Sequence, residues 1–461
     1  RIDGKWYPGV TNVGTRPSVD DDPRMTVETF LPGEDMDLYG REMTIEFHIF
    51  LRGIRKFPSL EAVKEQVDQD IRRTLAYFEE KFREDMTMKR RIKRRRSRRN
   101  AGRIKKSVLI PLLLLAVAML LMAASVYIDG FADWYAAWFY PVSAGAFGRV
   151  FGLVPTSVAE IGLYLTVIIF VLGMLYIILS LIHKNWNRFR TKRAAKVLLW
   201  TVSVLAFLYV VNCGVNYRAT SFAERSGIQP REYSVEELRN VCLWLAQKVQ
   251  ETEPQITRDS DGEMIFSTDA GKNAVRAMQE LGEDYRELKG YYPQPKTLIV
   301  PAFLSVQSLT GIYSPFTVEA NYNSDMTAYN IPFTMCHELS HLKGFMQEQE
   351  ANFIAWLACS RAAAPEFRYS AALSGWLYAS NQLWKYDPSS YEELYGMLPE
   401  NARRDLAAND VFWAKYEGKI AEVSNQINDA YLKSNGQEQG VKSYDKMVDM
   451  LVVYVLDILA E

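Results

Sequence analysis

The sequence predicts a multidomain membrane protein: a truncated β-barrel-like segment plus a helix, three transmembrane helices, and then a mainly helical α+β domain with an HExxH motif. Three observations predict this architecture. Strand-like stretches separated by turns come first, three long uncharged apolar runs follow, and the HExxH motif lies after the last run. A chain of 461 residues is long enough for two or three domains.

Residues 1–85 are predicted to form a small β region followed by a helix. Met25–Phe30 and Glu42–Leu51 have the alternation and composition of strands. From Ser59, which can cap a helix N-terminus, apolar residues recur on one face as far as Phe78. This spacing predicts a helix with one apolar side.

Residues 108–217 are predicted to form a three-helix transmembrane region. Uncharged apolar runs cover Val108–Tyr127, Ile161–Ile182 and Val197–Tyr217. A helix of about 20 residues is about 30 Å long, which matches the hydrocarbon core of a bilayer. Buried core helices of a large soluble protein are the alternative, and the charge clusters at the edges of these runs argue against it. We therefore expect the lipid bilayer as a partner.

Basic residues predict the orientation of the spans. Residues 86–107 form a basic linker, in which nine Lys or Arg fall between Lys89 and Arg99, and a second basic cluster separates the second and third runs. Between the first and second runs Arg149 is the only basic residue. The positive-inside rule then predicts a multi-pass protein of the cytoplasmic membrane, with a cytoplasmic N-terminus and an extracytoplasmic domain at 218–461.

The basic linker has a second interpretation as a site for nucleic acid or anionic lipid. It directly abuts an apolar run, and it lacks the interleaved aromatic residues that stack on bases. The net charge of −1 gives no overall attraction to nucleic acid either. We therefore expect no nucleic-acid partner.

The motif His337-Glu338-Leu339-Ser340-His341 predicts a zinc site. On a helix, residues four apart share a face, so both imidazoles can reach one ion while Glu338 lies beside them. In such sites the glutamate acts as general base toward the metal-bound water. An ordinary helix with two surface histidines is the alternative interpretation.

A catalytic zinc usually has three protein ligands, and the third is inferred by elimination. The remaining histidines, His48 and His183, lie in the N-terminal segment and on the predicted cytoplasmic side. The third ligand is therefore expected to be a carboxylate. Glu348 is the first choice, with Asn352 one turn later as its supporting residue, and Glu350, about 200° away on an ideal helix, is the alternative.

The stretch that precedes the motif, Gly311–Tyr322, has the composition of a hairpin whose edge could bind an extended peptide.

Several N-terminal motifs occur in an order that resembles the C-terminal part of the bacterial riboflavin kinase module, usually the second half of bifunctional riboflavin kinase/FAD synthetases. They are YPGVTNVGTRPSV, TVETF, DLYGREMTIEFHIFLR and KFPSLEAVKEQVDQDI. The resemblance implies that Glu28 is the base that activates riboflavin, with Mg-ATP and riboflavin bound. The Pro-Thr-Ala-Asn motif that holds the nucleotide in that family does not occur in this sequence. We therefore do not expect kinase activity from this chain alone.

Met88 is followed by KRRIKRRRSRR and the first apolar run, which is a natural beginning for a membrane protein. We expect residues 1 to about 87 to be the tail of a neighbouring reading frame, joined by fusion or by an error in gene calling.

Residues 106–461 resemble the bacterial membrane domain-of-unknown-function family 3810 in the stretches HELSH, EQEANFIAWLAC and NDAYLKSNGQEQGVKSYDKMVDML. The resemblance implies a zinc-metallopeptidase-like domain and leaves the substrate open. We predict a membrane-anchored zinc metallopeptidase that hydrolyses peptide or protein substrates with Glu338 as general base. The alternatives are a non-catalytic metal-binding membrane scaffold and a fusion that retains FMN-forming riboflavin kinase activity.

Overall fold

A computed structural model describes residues 1–14, 25–101, 106–182, 188–228, 230–437, 440 and 446–460. The chain divides into two compact units, Arg1–Lys105 and Lys106–Glu461. Each unit is described by itself.

The described part of the first unit contains one antiparallel pair of strands and one long helix. Strand β1 (Val10–Gly14) pairs with β2 (Thr26–Phe30), with Val10 opposite Phe30. Helix α1 (Leu60–Ala101) begins next to Ser59 as predicted and continues through most of the predicted basic linker. It is fixed to the preceding loop by a 2.8 Å ion pair between Arg52 Nε and Asp70 Oδ2.

One strand prediction in this unit is wrong. The region Glu42–Leu51 has no strand, and only Met43 in it forms a β-bridge, with Ile2. Alternating apolar residues form a strand only when a neighbouring strand satisfies their backbone groups. In the described residues, the pairing seen here is limited to the Ile2–Met43 bridge and the hydrogen bonds between Arg1 and Thr44, which is too short to form a strand.

Within the described residues of the second unit, three helices are long and apolar enough to cross a membrane, as predicted. The candidate spans are Lys106–Tyr127, Val158–Leu175 and Arg193–Arg218. They belong to α2 (Lys106–Tyr127), α5 (Val158–Ile182) and α6 (Arg188–Tyr209), and α6 continues as a π-helical turn at Val210–Gly214 and a 3₁₀ turn at Asn216–Arg218. Most of their large apolar side chains are exposed in the isolated chain, as expected of surfaces that face lipid.

The segment between the first two spans is helical and has two unlike sides. It consists of α3 (Phe131–Trp134), a π-helical stretch (Tyr135–Phe139) and α4 (Tyr140–Gly152). Tyr135 and Tyr140 are buried against the rest of the unit, whereas Trp134 and Trp138 are 55% and 67% exposed.

The remainder of the unit is mainly helical. The helices are α7 (Phe222–Ser226), α8 (Val235–Thr252), α9 (Ala270–Asp284), α10 (Ala302–Ser305), α11 (Asn330–Leu342), α12 (Glu348–Arg361), α13 (Pro365–Tyr386), α14 (Pro388–Met397), α15 (Glu400–Ala414), α16 (Lys419–Ser434) and α17 (Met447–Ala460). Short 3₁₀ turns lie at Glu253–Gln255 and Arg286–Leu288. The core contains fully buried aromatic side chains: Phe222, Tyr329, Phe353, Trp356, Phe367, Tyr369 and Trp376.

One three-stranded sheet accompanies these helices in the described residues. Strand β5 (Glu319–Tyr322) lies in the middle, parallel to β3 (Lys296–Thr297) and antiparallel to β4 (Gly311–Ser314). The predicted hairpin at Gly311–Tyr322 is confirmed, and β4 is an edge strand.

Buried carboxylates join the second span to this sheet. Glu319 accepts hydrogen bonds from the backbone N–H groups of Val158 and Ala159, at 3.1 and 2.9 Å, and pairs with the Lys296 ammonium at 2.5 Å. In the opposite direction, Glu160 at the start of the span accepts from two backbone N–H groups beside β3. An anion at a helix N-terminus is stabilised by the free N–H groups there, so these bonds fix the start of the span relative to the sheet.

Candidate metal centre

Helix α11 presents His337 and His341 on one face. Nearly all of its residues are buried, because sheet and helices pack around it, and the two imidazole rings lie 4.6 Å apart. The helix ends at a turn in which Gly344 has a φ of 101°, a conformation that glycine adopts without strain. This turn sends the chain back past the histidines into α12.

Glu348, the first residue of α12, lies opposite the two histidines. Its Oε2 atom is 3.2 Å from His337 Nε2 and 3.5 Å from His341 Nε2. One donor atom from each residue lies within 4.8 Å of the others, and the three side chains are buried. Two imidazoles and a carboxylate with this convergence are a donor set that suits zinc.

Hydrogen bonds orient both imidazoles. His341 Nδ1 lies 2.8 Å from the carbonyl oxygen of Phe345, and because a carbonyl only accepts, Nδ1 carries the proton. The Nε2 atom is therefore the one directed to Glu348. His337 Nε2 lies 3.2 Å from Glu348 Oε2, and the side chain of Asn352, the residue predicted to support the site, acts to raise the pKa of His337. Such outer contacts commonly fix the tautomer of metal-ligating histidines.

The three side chains carry strongly shifted proton affinities. Burial lowers the pKa of His337 despite its bond to Glu348. For His341, burial opposes the charged form, but the Glu348 carboxylate and its hydrogen bond prevail and raise the pKa to about 9. For Glu348, burial also opposes the charge, yet the two histidines hold its pKa well below the usual range. The Glu348 carboxylate thus stabilises a positive charge at His341.

Glu338 lies between α11 and the edge strand β4. A Cβ atom placed on Gly311 would lie within 2.4 Å of Glu338 Oε1, so only glycine leaves room for this carboxylate. Burial raises the pKa of Glu338 to about 8, although His341 opposes the shift. Glu338 Oε2 is buried without a hydrogen-bond partner among the described residues. A buried, unsatisfied carboxylate oxygen beside three convergent donors fits a site that holds a cation and a water molecule.

The alternative ligand Glu350 lies elsewhere. Its Oε1 atom accepts a hydrogen bond from the backbone N–H of Phe222 at 2.6 Å, at the start of α7, and burial raises its pKa to about 7. Of the two glutamates, the structure brings Glu348 and not Glu350 together with the histidines. Glu28, in the first unit, lies on β2 opposite Asn12 of β1.

Two tyrosines approach the centre without a signal in the sequence. Tyr140, from the segment between the first two spans, donates to the Leu342 carbonyl at 2.9 Å at the end of α11. Its hydroxyl also lies 3.2 Å from the hydroxyl of Tyr313 on β4, whose ring is 6.3 Å from the His341 ring. These contacts connect residues about 200 positions apart, which periodicity and local motifs do not reveal.

Comparison with known proteins gives two separate similarities. The model of the family described as "Protein of unknown function (DUF3810)" matches residues 135–452, and the riboflavin kinase family model matches residues 1–78. No solved structure matches the chain.

Curated relatives match a short part of the chain. A bifunctional riboflavin kinase/FMN adenylyltransferase of Pseudomonas fluorescens is 43% identical over 70 residues, covering 15% of this chain and 22% of that protein. The RNA-binding riboflavin kinase RibR of Bacillus subtilis is 31% identical over 70 residues, covering 15% and 30%. The chain thus spans less than a third of the length of these relatives.

Proposed function

The chain belongs to the DUF3810 family, and on this premise we propose that it is a membrane-anchored zinc-dependent metallopeptidase that hydrolyses peptide bonds. The observation that carries the proposal is the convergence of His337, His341 and Glu348, with Glu338 buried beside them. The HExxH order along one helix adds support, because it is the arrangement that peptide-hydrolysing zinc sites use.

In this proposal His337, His341 and Glu348 hold Zn²⁺. When bound, zinc supplies a water molecule of lowered pKa and polarises the carbonyl of the scissile bond. Glu338 accepts the proton of the attacking water and delivers it to the leaving amine. Burial raises its pKa to about 8, and a cation bound beside it would lower the pKa toward the ionised form that a general base needs.

The substrate in this proposal is a peptide or protein segment in extended conformation. Strand β4 is an edge strand, and its first residue, Gly311, lies against the Glu338 side chain. An extended peptide can add to such an edge through backbone hydrogen bonds, which would carry its carbonyl groups past the carboxylate.

The proposed location is the cytoplasmic membrane, with residues 1–107 in the cytoplasm and the metallopeptidase-like part at 218–461 outside it. The support is the distribution of Lys and Arg. These residues are dense before the first span and between the second and third spans, and they are sparse between the first two spans. Chemical labelling of single cysteines placed in residues 128–160, in intact cells, tests this orientation.

The proposal is tested first by elemental analysis of the purified full chain in detergent. We expect about one zinc per chain, lost in His341→Ala and in Glu348→Gln, and retained in the matched variant Glu350→Gln. A folded wild-type chain without zinc would refute the metal site. Zinc lost in Glu350→Gln and kept in Glu348→Gln would show that Glu350, and not Glu348, is the third ligand.

Hydrolysis is tested separately with Glu338→Gln. This variant should retain zinc and lose cleavage of an unstructured protein such as casein by about 10²- to 10⁴-fold, because it lacks the general base. Zinc without cleavage by the wild type would favour the alternative of a non-catalytic metal-binding scaffold.

A second candidate function concerns the first unit. The family match at residues 1–78 and the position of Glu28 in the TVETF strand favour FMN formation from riboflavin and Mg-ATP. A riboflavin kinase assay on the full chain decides, with Glu28→Gln as the inactivating variant and Glu34→Gln, an exposed glutamate in the following loop, as its control.

A further inference from the structure

Helix α16 (Lys419–Ser434) has an apolar stripe that is exposed in the described part of the chain. Ile420, Val423 and Ile427 are 63%, 52% and 66% exposed. At 3.6 residues per turn they lie within an arc of about 60°, and the acidic residues Glu422 and Asp429 lie about 130° and 150° from the middle of that arc. Among the residues of this fully described helix, only Ala421 and Leu432 are buried.

The C-terminal end of α16 is attached to the end of the third span. The Tyr431 hydroxyl lies 3.5 Å from Cys213 Sγ and accepts from the Tyr217 hydroxyl at 3.4 Å. One turn on, Asn435 accepts from the Tyr209 hydroxyl at 2.7 Å. All three span residues belong to the candidate span Arg193–Arg218. The apolar stripe therefore lies N-terminal to these contacts, with Ile427 one turn before Tyr431.

The same span end holds the other amphipathic segment of this unit. Tyr135, in the segment between the first two spans, donates to the Val211 carbonyl at 2.8 Å, and Ser143 donates to the Asn212 side chain at 3.0 Å. This segment exposes Trp134 and Trp138, residue types that favour the membrane–water interface. Helix α16 and the segment between the first two spans, which both expose apolar residues, thus contact the same end of the third span.

We propose that α16 is an interfacial helix that lies on the bilayer, with Ile420, Val423 and Ile427 inserted at the boundary between headgroups and acyl chains. Such helices combine a narrow apolar face with a charged one. Lipid fits this surface better than a second protein, because three aliphatic side chains fall far short of the roughly 800 Å² per partner that a stable interface buries. Ile427, the last residue of the stripe, also lies one turn before Tyr431, which contacts a candidate membrane span.

The position of α16 brings the bilayer close to the metal centre. Just after the helix, Gln437 donates to the Met346 carbonyl at 3.5 Å, two residues before Glu348. A helix seated on the membrane would hold the turn that precedes Glu348 near the lipid surface. The seating of α16 itself does not depend on whether the centre hydrolyses peptides.

The test places single cysteines on α16 in the full chain, reconstituted in phosphatidylcholine/phosphatidylglycerol vesicles and labelled with an environment-sensitive dye. The variants Ile420→Cys and Ile427→Cys lie on the stripe, and Glu422→Cys and Gln426→Cys are the matched controls. The four native cysteines are buried, and the labelled wild-type chain gives the background.

We expect a blue-shifted emission and quenching by lipids with a shallow doxyl group at Ile420→Cys and Ile427→Cys, and quenching by aqueous iodide at the two controls. Equal iodide quenching at all four positions would place the helix in water and overturn the proposal. Protection of the stripe from both quenchers would show that protein covers it, a second copy or another partner, and would overturn it as well.

Discussion

The substitution Gly311→Ala tests the role of Glu338 without altering a proposed ligand or the base. The added Cβ atom would lie 2.4 Å from Glu338 Oε1 and 2.8 Å from both Glu338 Cγ and Thr334 Cγ2. Carbon and oxygen atoms in ordinary contact lie about 3.5 Å apart. The carboxylate must therefore move by about 1 Å, and the three atoms nearest to the added Cβ belong to Glu338 and Thr334 rather than to a proposed ligand.

The expected magnitude follows from that displacement. A misplacement of about 1 Å in a catalytic group costs about 10²-fold in rate. Overpacking of a buried position also costs about 1–3 kcal/mol of the free energy of unfolding, so the variant should remain folded but melt at a lower temperature. Zinc content should stay at the wild-type value, because the donor set is intact.

The assay measures zinc content and casein cleavage of the same detergent-solubilised preparation. Gly396→Ala is the matched control: Gly396 lies in α14 with nothing within 4 Å of an added Cβ, so cleavage should be unchanged. Full cleavage by a folded Gly311→Ala variant would refute the role of Glu338 as a positioned base. Loss of zinc together with cleavage would show that the β4 contact maintains the ligands instead.

Three further predictions concern contacts within the second unit, and each is measured by thermal or denaturant unfolding of the full chain in detergent. Lys296→Met leaves the Glu319 carboxylate buried without its cation, so the free energy of unfolding should fall by about 3–5 kcal/mol. Adding Glu319→Gln should restore part of that loss. An unchanged stability would contradict a buried ion pair. Tyr140→Phe leaves the Leu342 carbonyl without its donor and should cost about 1–3 kcal/mol, whereas no change would mean that water replaces the hydroxyl. Ser234→Ala removes the capping box of α8 and should cost about 1 kcal/mol without altering zinc content, and a loss of zinc would be inconsistent with a purely local effect.

The sequence was sufficient where the determining interactions are local or compositional. The spans follow from length and apolarity, and the i, i+4 spacing of His337 and His341 requires only that their segment be helical. Because the chain has only four histidines, the third donor is expected to be a carboxylate near the motif. The structure brings Glu348 to the histidines, and the turn at Gly344 accounts for how the chain returns.

The sequence was insufficient where the deciding partner is remote. The stretch Glu42–Leu51 alternates like a strand, but a strand forms only beside another, and alternation does not show whether one is present. In the sequence, Gly311 looks like any other glycine of a hairpin, because its contact with the Glu338 side chain is visible only in the structure. The Tyr140 contact with α11 depends on the packing of the segment between two spans against a domain that begins some 80 residues later.

These remote contacts also decide which form of the protein can be tested. A fragment that begins at the predicted boundary, Arg218, would divide the compact unit Lys106–Glu461. It would lack Tyr135, Tyr140 and Tyr217, which are buried against the rest of the unit. At about 1.5–3 kcal/mol for each large buried side chain, their loss approaches the 5–15 kcal/mol that stabilises a typical domain. An absence of zinc in such a fragment would report on its folding, and only the chain with its three candidate spans can refute the metal centre.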